Sequence, residues 1–281
     1  MRKKIFRLLI IFILGTTIIL NTPLWFPIRS YITMFFYSKL HEKESLMNKN
    51  NIKLHIPGGL TTKDRDWYPF VMTFNDDIGF SKYADESLSL TILYNFGGFN
   101  LKDGASSYFN PNSKYFSSFY GGYLVKKNES AAPPFGFSGN GKINLDEIAL
   151  VPKYDQEKLV LSSFGCLEKK MVFDVLVDSI QYNVNYINHQ NWIKVDSTIR
   201  TNSPIHKFKK KYISYIQYGR PIDKYYNNED FPIINLKGRT YVKYLENYDI
   251  SIFLYILAPT ANLIEEWDEE FLSKTILDTK R

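Results

Sequence analysis

The sequence predicts an α+β protein: an N-terminal transmembrane helix, then one antiparallel-rich sheet domain with covering helices and a C-terminal amphipathic helix. Three observations carry this reading. Residues 8–28 form a 21-residue stretch without a charge. Three segments alternate apolar and polar residues with the period of strands. Leu263, Ile264, Trp267 and Phe271 recur at helical spacing near the C-terminus.

At 1.5 Å of rise per residue the charge-free stretch reaches roughly 31 Å, the thickness of a bilayer's hydrocarbon core. Arg2, Lys3, Lys4 and Arg7 precede it and only Arg29 stands close behind. The positive-inside rule therefore predicts a single pass in the cell membrane, with a cytoplasmic N-terminus and an extracytoplasmic main domain. A cleaved secretory signal shares the basic start and apolar middle but ends on small residues of the A-x-A type. Here the exit reads Asn21-Thr22-Pro23-Leu24-Trp25-Phe26-Pro27. The prolines end a helix, and Trp25 with Phe26 suits the interfacial belt, so an uncleaved anchor is the better reading. Because no cysteine follows the apolar run, lipoprotein acylation has no thiol to use.

This divides the chain into a cytoplasmic tail and anchor (1–28), a juxtamembrane helix or stalk (29–51) and an extracytoplasmic α+β domain (52–281). The juxtamembrane segment starts apolar (Ile32, Phe35, Phe36, Leu40) and turns charged (His41, Glu42, Lys43, Glu44). That pattern either lies at the membrane surface or packs back on the domain. Within the domain, Leu88, Leu90, Ile92, Tyr94 and Phe96 read as one face of a strand. Residues 180–186 and 193–199 read as a hairpin closed by Asn188-His189-Gln190-Asn191, and residues 240–245 and 250–258 as another closed by Glu246-Asn247-Tyr248-Asp249. The nine nearly continuous apolar residues 250–258 cannot span a bilayer as a helix, which makes them a buried central strand. A short helix is expected over 155–164, capped by Asp155 and stopped by Gly165. Residues 97–141, with Gly97-Gly98, Gly121-Gly122, Pro133-Pro134 and Gly139-Asn140-Gly141, read as long loops of the kind that carry sites. No repeat of 20 to 50 residues argues for a solenoid or propeller.

The formal net charge of +6 is a topology signal rather than a partner signal. Five of the 35 basic residues lie in the first 29 positions, and the remainder balance the 29 acids to within one charge. Nucleic acid is therefore not an expected partner. The single cysteine, Cys166, permits no intrachain disulfide, and the domain must stand on packing alone. Together with the anchor this points to the outer face of a bacterial envelope.

Candidate chemistry is sparse. Cys166 is followed by His189 and His206, the order of a thiol catalyst, but an isolated cysteine beside apolar residues is more often a packing residue. His41, His55, His189 and His206 lack metal-ligand spacing, so no metal is expected. Asn75-Asp76-Asp77-Ile78-Gly79 lacks the terminal acid of a calcium loop and reads as a turn. Asp64, Asp66, Asp76, Asp77, Asp85 and Glu86, interleaved with Trp67, Tyr68, Phe70, Phe74 and Phe80, hold the ingredients of a glycosidase-like envelope hydrolase: paired carboxylates and aromatic walls. Solvated turns account for the same residues. No G-x-S-x-G elbow, S-x-x-K, P-loop or G-x-G-x-x-G occurs, and no cofactor is expected. The dense basic run Lys207, Lys209, Lys210, Lys211 would be drawn to anionic lipid or phosphate-rich wall polymer, unless it is a strand edge kept soluble by lysines. The function expected from these readings is a membrane-anchored envelope protein whose exterior domain binds or organises without catalysis, with the hydrolase as the alternative.

Overall fold

Two antiparallel meanders meet in the middle of one seven-stranded sheet. A computed structural model describes residues 2–21, 25–58, 70–95, 99–100, 105–106, 108, 113–129, 132–162, 166–202 and 233–279. The chain opens with helices α1 (Arg2–Leu20), α2 (Trp25–Glu44) and α3 (Leu46–Lys49), followed by strands β1 (Lys53–His55) and β2 (Met72–Asn75). Next come α4 (Asp77–Ala84), β3 (Leu88–Asn95), the short pair β4 (Phe99–Asn100) and β5 (Ala105–Ser106), and β6 (Phe119–Lys127). Helix α5 (Leu145–Tyr154) runs into a π-helical turn, Asp155–Leu161. Then β7 (Phe173–Tyr186), β8 (His189–Thr201), β9 (Ile234–Leu245) and β10 (Ile250–Ala258) lead to α6 (Ala261–Glu270) and β11 (Ile276–Asp278). The sheet order is β2-β3-β6-β10-β9-β8-β7, with every pair antiparallel, and β1 pairs with β11 in a separate ribbon.

Period-two alternation along β10 feeds two cores. Phe253, Tyr255 and Leu257 face one side, where Phe80 of α4 and Ile148, Val151 and Tyr154 of α5 cover Ile92, Tyr123 and Val242. Ile252, Leu254 and Ile256 face the other, under Leu46 of α3, Leu54 of β1, Leu277 of β11 and Ile264, Trp267 and Phe271 at the C-terminal end. All nine residues of β10 are buried, as expected of a central strand covered on both faces. The mixed α+β class with its large antiparallel sheet stands as the sequence predicts.

Several expectations give way. Among the described residues no helix is long and apolar enough to cross a membrane. The helix that begins the chain stops at Leu20, where the Asn21 amide bonds the Thr17 and Ile18 carbonyls, and a new helix starts at Trp25. The charge-free part of α1, residues 8–20, is therefore about 20 Å long at 1.5 Å per residue. The stretch expected as loops between 97 and 141 contains β6, a strand beside the centre of the sheet. Its Gly121-Gly122 pair is there for close approach, because a Cβ on Gly121 would fall on the Leu93 carbonyl oxygen and one on Gly122 would lie 2.7 Å from that of Phe253. The hairpin turns two residues earlier and more tightly than its composition suggests, with Ile187 at φ 44° and Asn188 at φ 63°, and His189 already pairs with Tyr186. Trp192, which the period-two pattern would set on the same face as Lys194, Asp196 and Thr198, is fully buried in the second core. The C-terminal helix does not end the fold, since β11 follows it.

The helix expected to start at Asp155 starts ten residues sooner, at Leu145, where the Asn144 side chain accepts the Glu147 amide and Asp146 and Glu147 occupy the first turn. Pro152 lies inside it and cannot donate to the Ile148 carbonyl. The Tyr123 hydroxyl, reaching up from β6, donates to that carbonyl at 3.1 Å. One phenol thus replaces the missing helix bond, and the chain loosens into the π turn just beyond the proline.

Candidate functional site

Of the carboxylates read as hydrolase candidates, Asp76, Asp77 and Glu86 are held by the fold through hydrogen bonds or an ion pair. Asp76 caps α4, accepting the Gly79 amide at 2.9 Å and the Tyr154 hydroxyl at 2.5 Å. The expected turn at 75–79 is thus a helix start. Asp77 accepts the Leu90 amide at 2.7 Å, tying α4 to β3. Asp85 sits exposed at the left-handed C-cap of α4 with φ 54°. Glu86 pairs at 2.8 Å with Lys127, a nearly buried ammonium whose other partner is Glu147 at 2.9 Å. Burial opposes the Lys127 charge, but its bonds to Glu86 and Glu147 outweigh that and raise its pKa. Asp64 and Asp66 lie outside the described residues, as do Lys207, Lys209, Lys210 and Lys211.

Cys166 is buried, and burial pushes its thiol above the ordinary value against a smaller opposing pull from Lys170. That environment disfavours the thiolate a nucleophile needs. His189 has its Nε2 2.9 Å from the Leu277 carbonyl of β11, and His206 lies outside the described residues. Among the described residues no three His, Cys, Asp or Glu side chains converge as a metal site.

Two polar features escaped the sequence reading. The first is Arg239 of β9, buried where α6 crosses the sheet. Its Nε donates to Asp196 of β8 at 2.7 Å, and its terminal nitrogens reach Glu265 at 2.5 and 2.7 Å and Asp268 at 3.0 Å. Asp268 also accepts the hydroxyls of Tyr241 at 2.6 Å and Tyr186 at 2.5 Å, whose rings stack 3.7 Å apart. Desolvation, then the Asp268 carboxylate, raises both phenols well above their usual range. Hydrogen bonding to Arg239 holds the Glu265 carboxyl below its ordinary range. Every charged group here has a partner, so the cluster clamps α6 to the sheet rather than presenting a reactive group. The register brings the pair together, with Asp196 and Arg239 directly opposed on adjacent strands, and the sequence alone carries no signal of it.

The second is Asp155, at the first position of the π turn. It is 1% exposed, and neither carboxylate oxygen has a hydrogen-bond partner. Desolvation raises its pKa to about 7. In its charged form it would face the phenols of Tyr123, Tyr154 and Tyr255, each of whose pKa it raises. Next to it, Gln156 accepts the Tyr108 hydroxyl at 3.1 Å while its own amide nitrogen stays unpartnered.

A solvent-reachable concavity is found elsewhere, between residues 132–141 and the β9–β10 turn. This groove of about 800 Å³ is walled by Pro133, Pro134 and Phe137 on one side and by Lys243, Tyr244 and Tyr248 on the other. Lys243 donates to the Gln190 carbonyl at 2.7 Å, and burial lowers its pKa against an opposing pull from Glu246. The Tyr244 and Tyr248 hydroxyls are fixed by Asp249 at 3.0 Å and the Thr279 carbonyl at 2.8 Å. Comparison with family models, curated proteins and solved structures yields no match to this chain.

Proposed function

We propose that the chain is a membrane-anchored envelope protein whose exterior α+β domain is a non-catalytic binding or structural platform. The observation that carries the reading is α1. Ile5, Phe6, Leu8, Leu9, Ile10, Ile11, Phe12, Ile13, Leu14, Ile18 and Leu20 are all exposed, so from Leu8 onward the helix is apolar all round with nothing in the described fold to cover it. Transfer of a buried-size aliphatic or Phe side chain is worth about 1.5–3 kcal/mol; with eleven about half exposed, covering them is worth on the order of 10 kcal/mol. Its polar side chains suit lipid as well, since Thr17 donates to the Ile13 carbonyl at 2.8 Å and Asn21 to that of Thr17 at 2.8 Å. The uncharged sequence continues to Ile28. Arg2, Lys3, Lys4 and Arg7 set a cytoplasmic N-terminus.

The platform reading rests on the capped and paired state of Asp76, Asp77 and Glu86 and on the raised thiol of Cys166. The groove beside Lys243 is where a partner would lie. Protease added to intact cells producing the chain should remove the domain and leave an N-terminal fragment of about the anchor's size. Full protection of the domain would overturn the topology.

A further inference from the structure

Helix α2 has an inner face built into the domain. Met34 and Ser38 are buried, and the Ser38 hydroxyl accepts the Thr73 amide of β2 at 2.9 Å. That amide points away from β3, so α2 closes the open edge of the large sheet. Asn75 adds a bond to the His41 carbonyl at 2.7 Å, while Phe70 packs edge-on against Tyr31 and Phe35.

The outer face is different. Ile32, Phe36 and Leu40 follow one another at four-residue spacing, and Phe36 and Leu40 are each 62% exposed. At 100° per residue Lys39 and Lys43 fall on the same face. Lys39 pairs with Glu42 at 2.6 Å, a solvent-exposed contact that restrains it little. Among the described residues, the other exposed large hydrophobics outside α1 and α2, such as Ile78, Leu167 and Leu176, form no comparable stripe.

We propose that this outer face of α2 rests in the headgroup layer of an anionic bilayer, with Ile32, Phe36 and Leu40 inserted and Lys39 and Lys43 on lipid phosphates. The inference rests on the reading of α1 as the membrane anchor. Continuity argues for it, because α2 begins five residues after α1 ends and so cannot lie far from a bilayer that holds α1. Charge is compatible with it: Lys39 and Lys43 lie beside the apolar residues, within reach of lipid phosphates, while Glu42 and Glu44 fall outside the stripe on either side. Because Ser38 bonds the sheet edge directly, a helix lying on lipid fixes the whole domain with its β2 edge toward the membrane and leaves the β9–β10 groove on the rigid body so oriented.

The test uses the full chain carrying Cys166→Ser, with a spin label at Ile11→Cys, Phe36→Cys or Leu176→Cys. Each is reconstituted in phosphatidylcholine vesicles with or without phosphatidylglycerol. Depth is read from collision with oxygen against an aqueous nickel chelate. The label at 11 should lie deep, the label at 36 about 5–10 Å below the headgroup boundary and deeper with phosphatidylglycerol, and the label at 176 in water. A deep label at 11 with the label at 36 in water would overturn the proposal and leave the anchor standing. A label at 11 in water would remove the anchor and the proposal together. Dipolar broadening between labels at 36 would replace the lipid by a second copy, and a depth at 36 indifferent to phosphatidylglycerol would overturn the anionic preference.

Discussion

Asp155→Asn should stabilise the domain at pH 8 and do almost nothing at pH 4. The wild-type carboxyl is buried at the start of the π turn, lacks any hydrogen-bond partner and has its pKa raised by desolvation to about 7 from an ordinary 3.8. An acid whose folded pKa lies above its unfolded value binds more protons when folded, so stability falls as pH rises between the two values and levels off above the upper one. At 1.36 kcal/mol per unit, the interval amounts to about 4 kcal/mol. The amide has the shape of the acid without its charge, so the difference between variant and wild type isolates this one group. Urea unfolding of both proteins in mild detergent, followed by the fluorescence of buried Trp192 and Trp267, should show curves that coincide near pH 4 and separate progressively up to about pH 7. A constant difference at every pH, or a less stable variant at pH 8, would refute the argument. Either result would mean that the folded domain solvates or pairs the carboxylate.

Arg239→Met should cost about 3 kcal/mol, because Asp268 is left buried without its cation while the more exposed Asp196 and Glu265 regain water. Adding Asp268→Asn should restore part of the loss, and urea midpoints at unchanged slope would measure both. The bond that lowers the Glu265 pKa contributes stability above the unfolded carboxylate range and loses it as pH falls through the folded value, so the penalty of Arg239→Met should shrink in acid. Gly121→Ala should destabilise by about 3 kcal/mol or prevent folding, since the new methyl meets the β3 backbone at Leu93; the melting temperature checks this. Tyr154→Phe should cost about 1–2 kcal/mol by removing the donor to Asp76 while leaving the α4 cap in place, again by unfolding.

The strands were legible where one face is apolar and the other polar, as in residues 88–95 and 193–199, or where a run such as 250–258 is too short to span a bilayer. The α6 helix was legible from Ile264, Trp267 and Phe271. The misreadings have local causes. Gly121 and Gly122 look like a loop, yet glycine is also what a crowded sheet centre needs when a neighbouring carbonyl leaves no space for a Cβ. The helix start was missed because Asn144 is an ordinary cap far from the more conspicuous Asp155, and because Pro152 argues against a helix unless a remote phenol supplies the bond it cannot make. A β-branched residue at positive φ, Ile187, hid the tight turn. The Arg239 clamp was invisible without register, since its partners come from β8 and α6, 26 to 43 residues away.

The proposed burial of α1 in lipid is open to direct measurement. Membranes from cells producing the full chain, washed in alkaline carbonate, should retain the wild-type protein in the pellet. A variant with Ile11→Arg and Leu14→Arg should be released to the supernatant, because each charge at the centre of a membrane helix costs about 2.5–3.5 kcal/mol. Wild-type protein in the supernatant, or equal retention of the doubly charged variant, would contradict the account.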